Sequence, residues 1–266
     1  MKNQYKNTLK GNTLPNPVGQ WPLLVSKWHN LEGQTKSAML PIERLKEKAG
    51  RQAAKLISPG MTFGLGTGST VKWLIEELQD RFPKNAHLTV VPTSEQSARL
   101  ARQAGWEIKE LNEVERLELT IDGADEADSS GNLIKGGGGA LLREKLVAAA
   151  SDKLVIIADP TKLVEKLGKF PLPIEVVPFG YRQVQRKIKE QFGVSGIQLR
   201  SKGEEPFVTD SGNFILDVAF GVIDDPCALD KALQIIPGVV ETGLFVGMAH
   251  SLIHTRPDGG ITEKEF

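Results

Sequence analysis

Between residues 120 and 146, four acids fall within seven positions, Asp122, Asp125, Glu126 and Asp128, followed by Lys135, four glycines at 136–139, and Glu144. Carboxylates and a lysine gathered around one ligand can move protons and stabilise a developing negative oxygen. The glycines have no side chains, so their backbone N–H groups can approach an anionic or polyhydroxylated ligand closely, and they run directly into a helix-forming stretch at 140–150. Glu144 then falls early in a helix, where the positive end of the helix dipole favours its ionised form and keeps it available as a base. Taken alone, an acid cluster reads as a solvated loop and a tetraglycine as a flexible linker. The lysine just before the glycines and the glutamate five residues after them argue against a linker.

The second stretch is Gly66-Thr67-Gly68-Ser69-Thr70. Glycines at a helix start expose backbone N–H groups, and three hydroxyls add donors, so a phosphate is the expected ligand. A tight strand-to-helix turn without ligand is the alternative. From Gly64 a dinucleotide fingerprint would need a third glycine where a serine stands, and no acid ends the strand at 88–91 to hold a ribose. No Gly-Lys-[Ser/Thr] is present, which removes a nucleoside-triphosphate loop.

The elements that must position these residues follow from apolar spacing. Ile42, Leu45, Ala49, Ala53, Leu56 and Ile57 predict a helix ended by Ser58-Pro59-Gly60. Residues 61–65 read as a buried strand, and Val71, Leu74, Ile75 and Leu78 as the helix after the glycine loop. Pro92-Thr93-Ser94 closes a second strand, brings further hydroxyls towards the same crevice and starts a helix at 95–104. Leu117, Leu119 and Ile121 alternate as a strand ending on Asp122, where open α/β sheets place their ligands. A strand at 154–158 continues the alternation, which predicts a parallel sheet. From 174 the pattern changes to short strands at 174–177, 197–199, 207–209 and 214–218, helices around Val184 and Ile188 and at 228–235, and a last strand from Val239. That order is close to β-α-β-β-α-β, a ferredoxin-like module. The expected fold is thus α/β: a Rossmann-like domain at 41–168 and 243–266 carrying an inserted ferredoxin-like domain at 169–242.

Residues 1–40 read differently, with five lysines, no arginine, one acid and five asparagines, and are expected to form a poorly ordered extension. They match neither a transit peptide nor a secretory signal. Trp21 and Trp28 could dock this tail on the body or on a second subunit, or be incidental. Thirty-three basic residues balance 33 acidic ones, so neither nucleic acid nor membrane is an expected partner and a small molecule is. One cysteine, Cys227, suits a reducing compartment, and no apolar run approaches the length of a membrane span. His29, His87, His250 and His254 are scattered without zinc-site spacing.

The strings at 66–70, at 122–126 (Asp-Gly-Ala-Asp-Glu) and at 135–145 (Lys-Gly-Gly-Gly-Gly-Ala-Leu-Leu-Arg-Glu-Lys) resemble, in order and spacing, the signature of the ribose-5-phosphate isomerase A family. The similarity continues through 158–162, 168–173 and 236–240 and covers roughly 42–260. It implies an aldose–ketose isomerase acting on ribose 5-phosphate and ribulose 5-phosphate through an enediolate, with Glu144 as the shuttling base. It further implies that Asp122 assists ring opening and hydroxyl proton handling, Lys135 stabilises the negative oxygen, and Asp125 orients hydroxyls or the lysine. Gly66, Thr67, Gly68, Ser69 and Thr70, with Lys46 and Lys162, would grip the phosphate, while Gly123, Ala124, Gly136, Gly137 and Gly138 line the sugar site. No metal or organic cofactor is required, and a cytoplasmic homodimer is expected. The rivals are an amino-sugar phosphate isomerase or CoA transferase of similar architecture, disfavoured by the lysine-tetraglycine-glutamate spacing, and a sugar-phosphate sensor, which lacks a DNA-binding helix pair here.

Overall fold

The computed structural model describes residues 40–82 and 87–266; Trp21, Trp28, His29 and nearly all of the expected extension lie outside them. The chain opens with α1 (Ile42–Ala53), β1 (Thr62–Leu65), α2 (Ser69–Arg81), β2 (Thr89–Pro92), α3 (Glu95–Ala104) and β3 (Glu107–Ile108). Then come β4 (Thr120–Gly123), two short strands β5 (Glu126–Ala127) and β6 (Leu133–Ile134), α4 (Leu141–Ala149) and β7 (Leu154–Ala158). The remainder holds β8 (Leu172–Val176), α5 (Tyr181–Phe192), β9 (Ile197–Leu199), β10 (Ser201–Lys202), β11 (Glu205–Pro206), β12 (Phe214–Val218), α6 (Pro226–Gln234), β13 (Val239–Thr242), β14 (Leu244–Phe245), β15 (Ser251–Thr255) and β16 (Ile261–Glu265).

Seven strands form the large sheet in the order β16-β15-β7-β4-β1-β2-β3, parallel throughout except for the edge pair β15–β16. Strands buried on both faces must be apolar at every position, and all five residues of β7 are buried. Val155 and Ile157 enter a core with Leu74, Ile75 and Leu78 of α2, whereas Leu154, Ile156 and Ala158 enter another with Ala148 of α4. The chain runs outward from β1 to β2 and β3, then returns to place β4 on the other side of β1. The switch point therefore lies between the carboxyl ends of β1 and β4, where both the 66–70 loop and Asp122 emerge.

The second sheet is antiparallel, in the order β13-β8-β12-β9, with Val184 and Ile188 of α5 and Leu233 of α6 packed into its core. Its chain order, β8-α5-β9-β12-α6-β13, is the ferredoxin-like pattern. Two local expectations change. Residues 207–209 are not a strand: the two-residue hairpin β10–β11 precedes them, Phe207 donates its N–H to the Arg200 carbonyl, and Thr209 closes a loop on Asn213. The chain rejoins the large sheet at β15 rather than at Gly243, because β14 first pairs with β6 in a separate three-stranded sheet with β5.

Candidate active site

The 66–70 loop leaves β1 without a bend that a side chain would allow: a Cβ on Gly66 would sit 2.2 Å from Asp122 Oδ1. Gly68 has φ +125° and precedes α2 without any side-chain cap, so the first amides of that helix stay free for an anion. The hydroxyl of Thr67 is turned inward instead. It lies 2.8 Å from Thr93 Oγ1, 2.7 Å from Ser94 Oγ and 3.0 Å from Ser97 Oγ, and Ser97 in turn donates to the Gly66 carbonyl at 2.6 Å. The hydroxyls expected from the 92–94 segment thus brace the loop from behind. Those of Ser69 and Thr70 make no hydrogen bond among the described residues.

Asp122, the penultimate residue of β4, is almost fully buried. Its Oδ1 accepts from the backbone N–H groups of Thr67 (3.0 Å) and Gly123 (2.7 Å), and its Oδ2 lies 2.9 Å from Lys135 Nζ. Lys135 also donates to the Gly123 carbonyl at 2.6 Å and stands 3.4 Å from Glu144 Oε2, with the ring of Phe245 beneath it at 5.4 Å. Exposure is 1% for Asp122, 2% for Lys135 and 4% for Glu144, so three ionisable groups share one nearly dry compartment. Burial works against the lysine's charge, but Asp122 and Glu144 outweigh it and raise its pKa. Burial, helped by Asp122 and Asp125 and opposed by Lys135, pushes the Glu144 carboxyl up to about 8. The expectation that the helix dipole keeps Glu144 ionised is corrected here. Its N–H is already bonded to the Ala140 carbonyl, past the free amides of the helix start, and desolvation dominates.

Two of the four clustered acids face this compartment and two do not. Asp125 accepts the Gly137 N–H at 2.6 Å. Glu126 turns away to accept from Gly168 (2.7 Å) and Phe170 (2.6 Å), anchoring the loop that leads into the second sheet, and Asp128 bonds Ser130 and Asn132 in a turn. On α4, Lys145 donates to Glu241 and the Thr242 carbonyl and Arg143 to the Asp210 carbonyl, so the neighbours of Glu144 fasten its helix to the second sheet and its loops. The Arg-Glu-Lys string is therefore one inward carboxylate between two tethers.

A cleft of about 100 Å³ unites these parts, bounded by Thr67, Gly68, Ser69 and Thr70 on one side, Gly123, Ala124, Asp125, Lys135, Gly136, Gly138 and Glu144 on the other, and Lys162 at its edge. Lys162 is presented by a short turn that Asp159 caps through the Thr161 N–H and hydroxyl. Lys46 is not brought to the cleft; it pairs with Glu43 at 2.8 Å on α1. Among the described residues no group of three or more His, Cys, Asp or Glu is placed to hold a metal, and His250 is committed to the Leu154 N–H. A larger cavity of about 680 Å³ opens beside the amino ends of β4, β7 and β15, but Glu118, Asp152, Lys153, Glu263 and Glu265 around it form no ion pair with one another among the described residues. Sequence reasoning missed Ser97, a lone serine inside a helix pattern, and Arg200, which no local motif marks.

Fold and site together define an α/β protein with a ferredoxin-like second sheet and a buried lysine–carboxylate array at the switch point of its parallel sheet. The family model for ribose 5-phosphate isomerase A (phosphoriboisomerase A) matches residues 89–259. A protein of Rhodopseudomonas palustris (strain TIE-1) named ribose-5-phosphate isomerase A is 49% identical over 222 residues, covering 82% of this chain and 96% of that one. A solved D-ribose-5-phosphate isomerase in complex with phospho-erythronic acid aligns with TM-score 0.80 and 36% identity, over 85% of this chain and all of that one. Ribose 5-phosphate isomerase A from Methanocaldococcus jannaschii aligns with TM-score 0.78 and 39% identity over the same shares. The chain belongs to the ribose 5-phosphate isomerase A family.

Proposed function

We propose that the protein interconverts D-ribose 5-phosphate and D-ribulose 5-phosphate, in the non-oxidative pentose phosphate pathway, through an enediolate. The observation that carries this reading is the buried array in which Lys135 stands between Asp122 and Glu144. In the ketose-forming direction Glu144 removes the C2 proton, the electron pair forms the C1–C2 double bond, and the carbonyl oxygen at C1 becomes anionic. Lys135 neutralises that oxygen in a compartment that excludes water, where a fixed charge acts strongly. Asp122 carries the hydroxyl proton from O2 to O1, and Glu144 returns its proton to C1. The phosphate sits on the free amides before α2 with the Ser69 and Thr70 hydroxyls, and Lys162 supplies charge from the cleft edge. Asp125 holds the glycine loop against the sugar. A carboxyl with a pKa near 8 is matched to a proton that must be both taken and returned at neutral pH.

Around this site the catalytic body comprises 41–168 and 243–266, 169–242 form the small domain, and 1–40 are an extension outside both. What supports the last boundary is that relatives fit within about 85% of this chain over their whole length. Exposed Phe179 and Ile235 beside an apolar groove at Val184 and Ile236 support a homodimer, to be checked by sedimentation. No helix among the described residues is long and apolar enough to cross a membrane, and the balanced charge and lone Cys227 support a cytoplasmic enzyme. The deciding assay is interconversion of the two pentose phosphates by protein treated with EDTA: full turnover is expected. No turnover, or turnover restored only by a divalent ion, sinks the metal-free mechanism.

A further inference from the structure

We infer that Arg200 is a positioning residue for this reaction, acting through the glycine loop on Asp125; the inference rests on the site assignment proposed above. Arg200 follows β9, and its side chain is only 15% exposed. Its guanidinium is gripped by Asp217 of β12, Nε donating to Oδ2 at 2.9 Å and Nη2 to Oδ1. Its remaining nitrogen, Nη1, reaches out of the second sheet to donate to the Gly136 carbonyl at 2.6 Å and more weakly to that of Gly137 at 3.3 Å.

The Gly136 carbonyl and the Gly137 N–H belong to the same peptide unit, and that N–H donates to Asp125 at 2.6 Å. One peptide plane is thus held at both ends by opposite charges, its oxygen on a guanidinium and its N–H on a carboxylate. Within the loop, the same Gly136 carbonyl also accepts the Gly139 N–H at 2.9 Å, which closes a turn but leaves the charged contacts to set its facing. Consecutive glycines have the least intrinsic conformational preference of any sequence, and Gly136 and Gly139 both occupy left-handed φ, +103° and +82°. Turning the peptide over would bring the Gly136 oxygen against the Asp125 carboxylate and leave a partly buried guanidinium short of an acceptor. A Cβ on Gly137 would meet Asp125 Oδ1 at 2.5 Å, so the close approach that this arrangement needs is available only to glycine. Arg200 therefore decides which way the loop presents its amides and where Asp125 rests beside Lys135. A lysine at 200 could supply a charge but not the planar fork that satisfies Asp217 and a carbonyl together.

The test is steady-state isomerase kinetics on the full chain for Arg200→Ala and Arg200→Lys, with melting temperatures and with inorganic phosphate as a competitive inhibitor. Misplacement of this order costs about a hundredfold, and the loss is expected in kcat for both variants, with phosphate inhibition unchanged because the 66–70 loop is untouched. Methylguanidinium added to Arg200→Ala should restore at least about a tenth of wild-type kcat, which a merely structural role would not allow. Arg200→Lys keeps the stem and charge and reports even if Arg200→Ala fails to fold. Wild-type-like kcat in either variant, or a loss in both that tracks melting temperature and ignores methylguanidinium, overturns the inference. An inactive wild type sinks the functional reading and this inference with it, whereas an active wild type with unaffected variants sinks this inference alone.

Discussion

Replacing Glu144 with glutamine should destroy turnover and stabilise the protein at the same time. Below pH 4.5 the carboxyl is protonated whether the chain is folded or unfolded, and it contributes nothing to the pH dependence of stability. Between 4.5 and about 8 the unfolded chain releases the proton while the folded chain keeps it, so stability falls as pH rises. Above about 8 the folded protein carries the full cost of the buried anion. At roughly 1.4 kcal/mol per pKa unit, the cost is on the order of 3 kcal/mol at pH 7 and 5 kcal/mol above pH 8. The attraction of Lys135, 3.4 Å away, is already contained in the value near 8, and Lys135 keeps Asp122 and the Gly123 carbonyl when the charge at 144 is removed.

Glu144→Gln keeps the shape and the helix while removing both charge and basicity. Its melting temperature should equal that of the wild type near pH 4.5 and exceed it by a margin that widens to pH 8, by about 5 °C or more at neutral pH for a chain of this size. Its kcat should fall at least about a hundredfold with substrate binding retained, and exchange of solvent deuterium into C1 or C2 of the sugar should vanish in step. In the wild type only a minority of molecules has ionised Glu144 at neutral pH, so kcat/KM should climb with pH and level off above about 8. A constant melting difference between pH 5 and 8 would refute the burial argument. A variant retaining more than about a tenth of wild-type kcat would refute the base assignment and leave Asp122 as the leading candidate.

Three further perturbations separate the parts of the site. Thr70→Val should weaken sugar phosphates and inorganic phosphate together in competition assays without moving the melting temperature, whereas Thr67→Val strands the buried hydroxyl of Thr93, takes one partner from Ser94 and Ser97, and should cost about 1–3 kcal/mol of stability by chemical denaturation. Equal behaviour of the two variants would contradict the inward orientation of Thr67. Glu126→Gln weakens two charge-assisted bonds to Gly168 and Phe170 and should lower stability by about 1–3 kcal/mol while kcat stays within about threefold; a selective collapse of kcat would return Glu126 to the chemistry. Truncation of residues 1–38 should leave melting temperature and turnover nearly unchanged, and a large loss of either would show that the extension belongs to the body.

What could be read from the chain was whatever lies close together along it. The strand, glycine loop and helix at 61–78 announce themselves through a change of apolar period beside glycines, and Lys135 and Glu144 are separated only by a loop and one helical turn. Glycine signals that something approaches closely but not what approaches: Gly66 makes room for Asp122, 56 positions away, and Gly137 for Asp125. Orientation within the acid cluster was equally hidden, since Glu126 and Asp125 are neighbours with opposite fates, one accepting amides from 168 and 170 and the other facing the cleft. Lys46 illustrates the converse, a residue assigned by motif alone that the structure pairs with Glu43 one helical turn back.

The protonation state of Glu144 escaped for a deeper reason. The dipole of α4 is a local property, legible in the helix start, and it argues for an ionised carboxylate. Desolvation is a property of everything packed around the group, including strands and loops that arrive more than 60 residues later: Glu241 and Thr242 hold Lys145, Phe245 lies under Lys135, and Asp210 holds Arg143. When a helix-end effect worth about 1 kcal/mol meets burial that raises a pKa from 4.5 to about 8, burial wins. The ferredoxin-like sheet therefore does more than sit beside the Rossmann-like one. Its residues and loops fasten the helix that carries Glu144 at Arg143 and Lys145, helping to keep Glu144 out of water, and that lifts an ordinary glutamate into the pH range that the proposed base needs to take a proton from carbon and give it back.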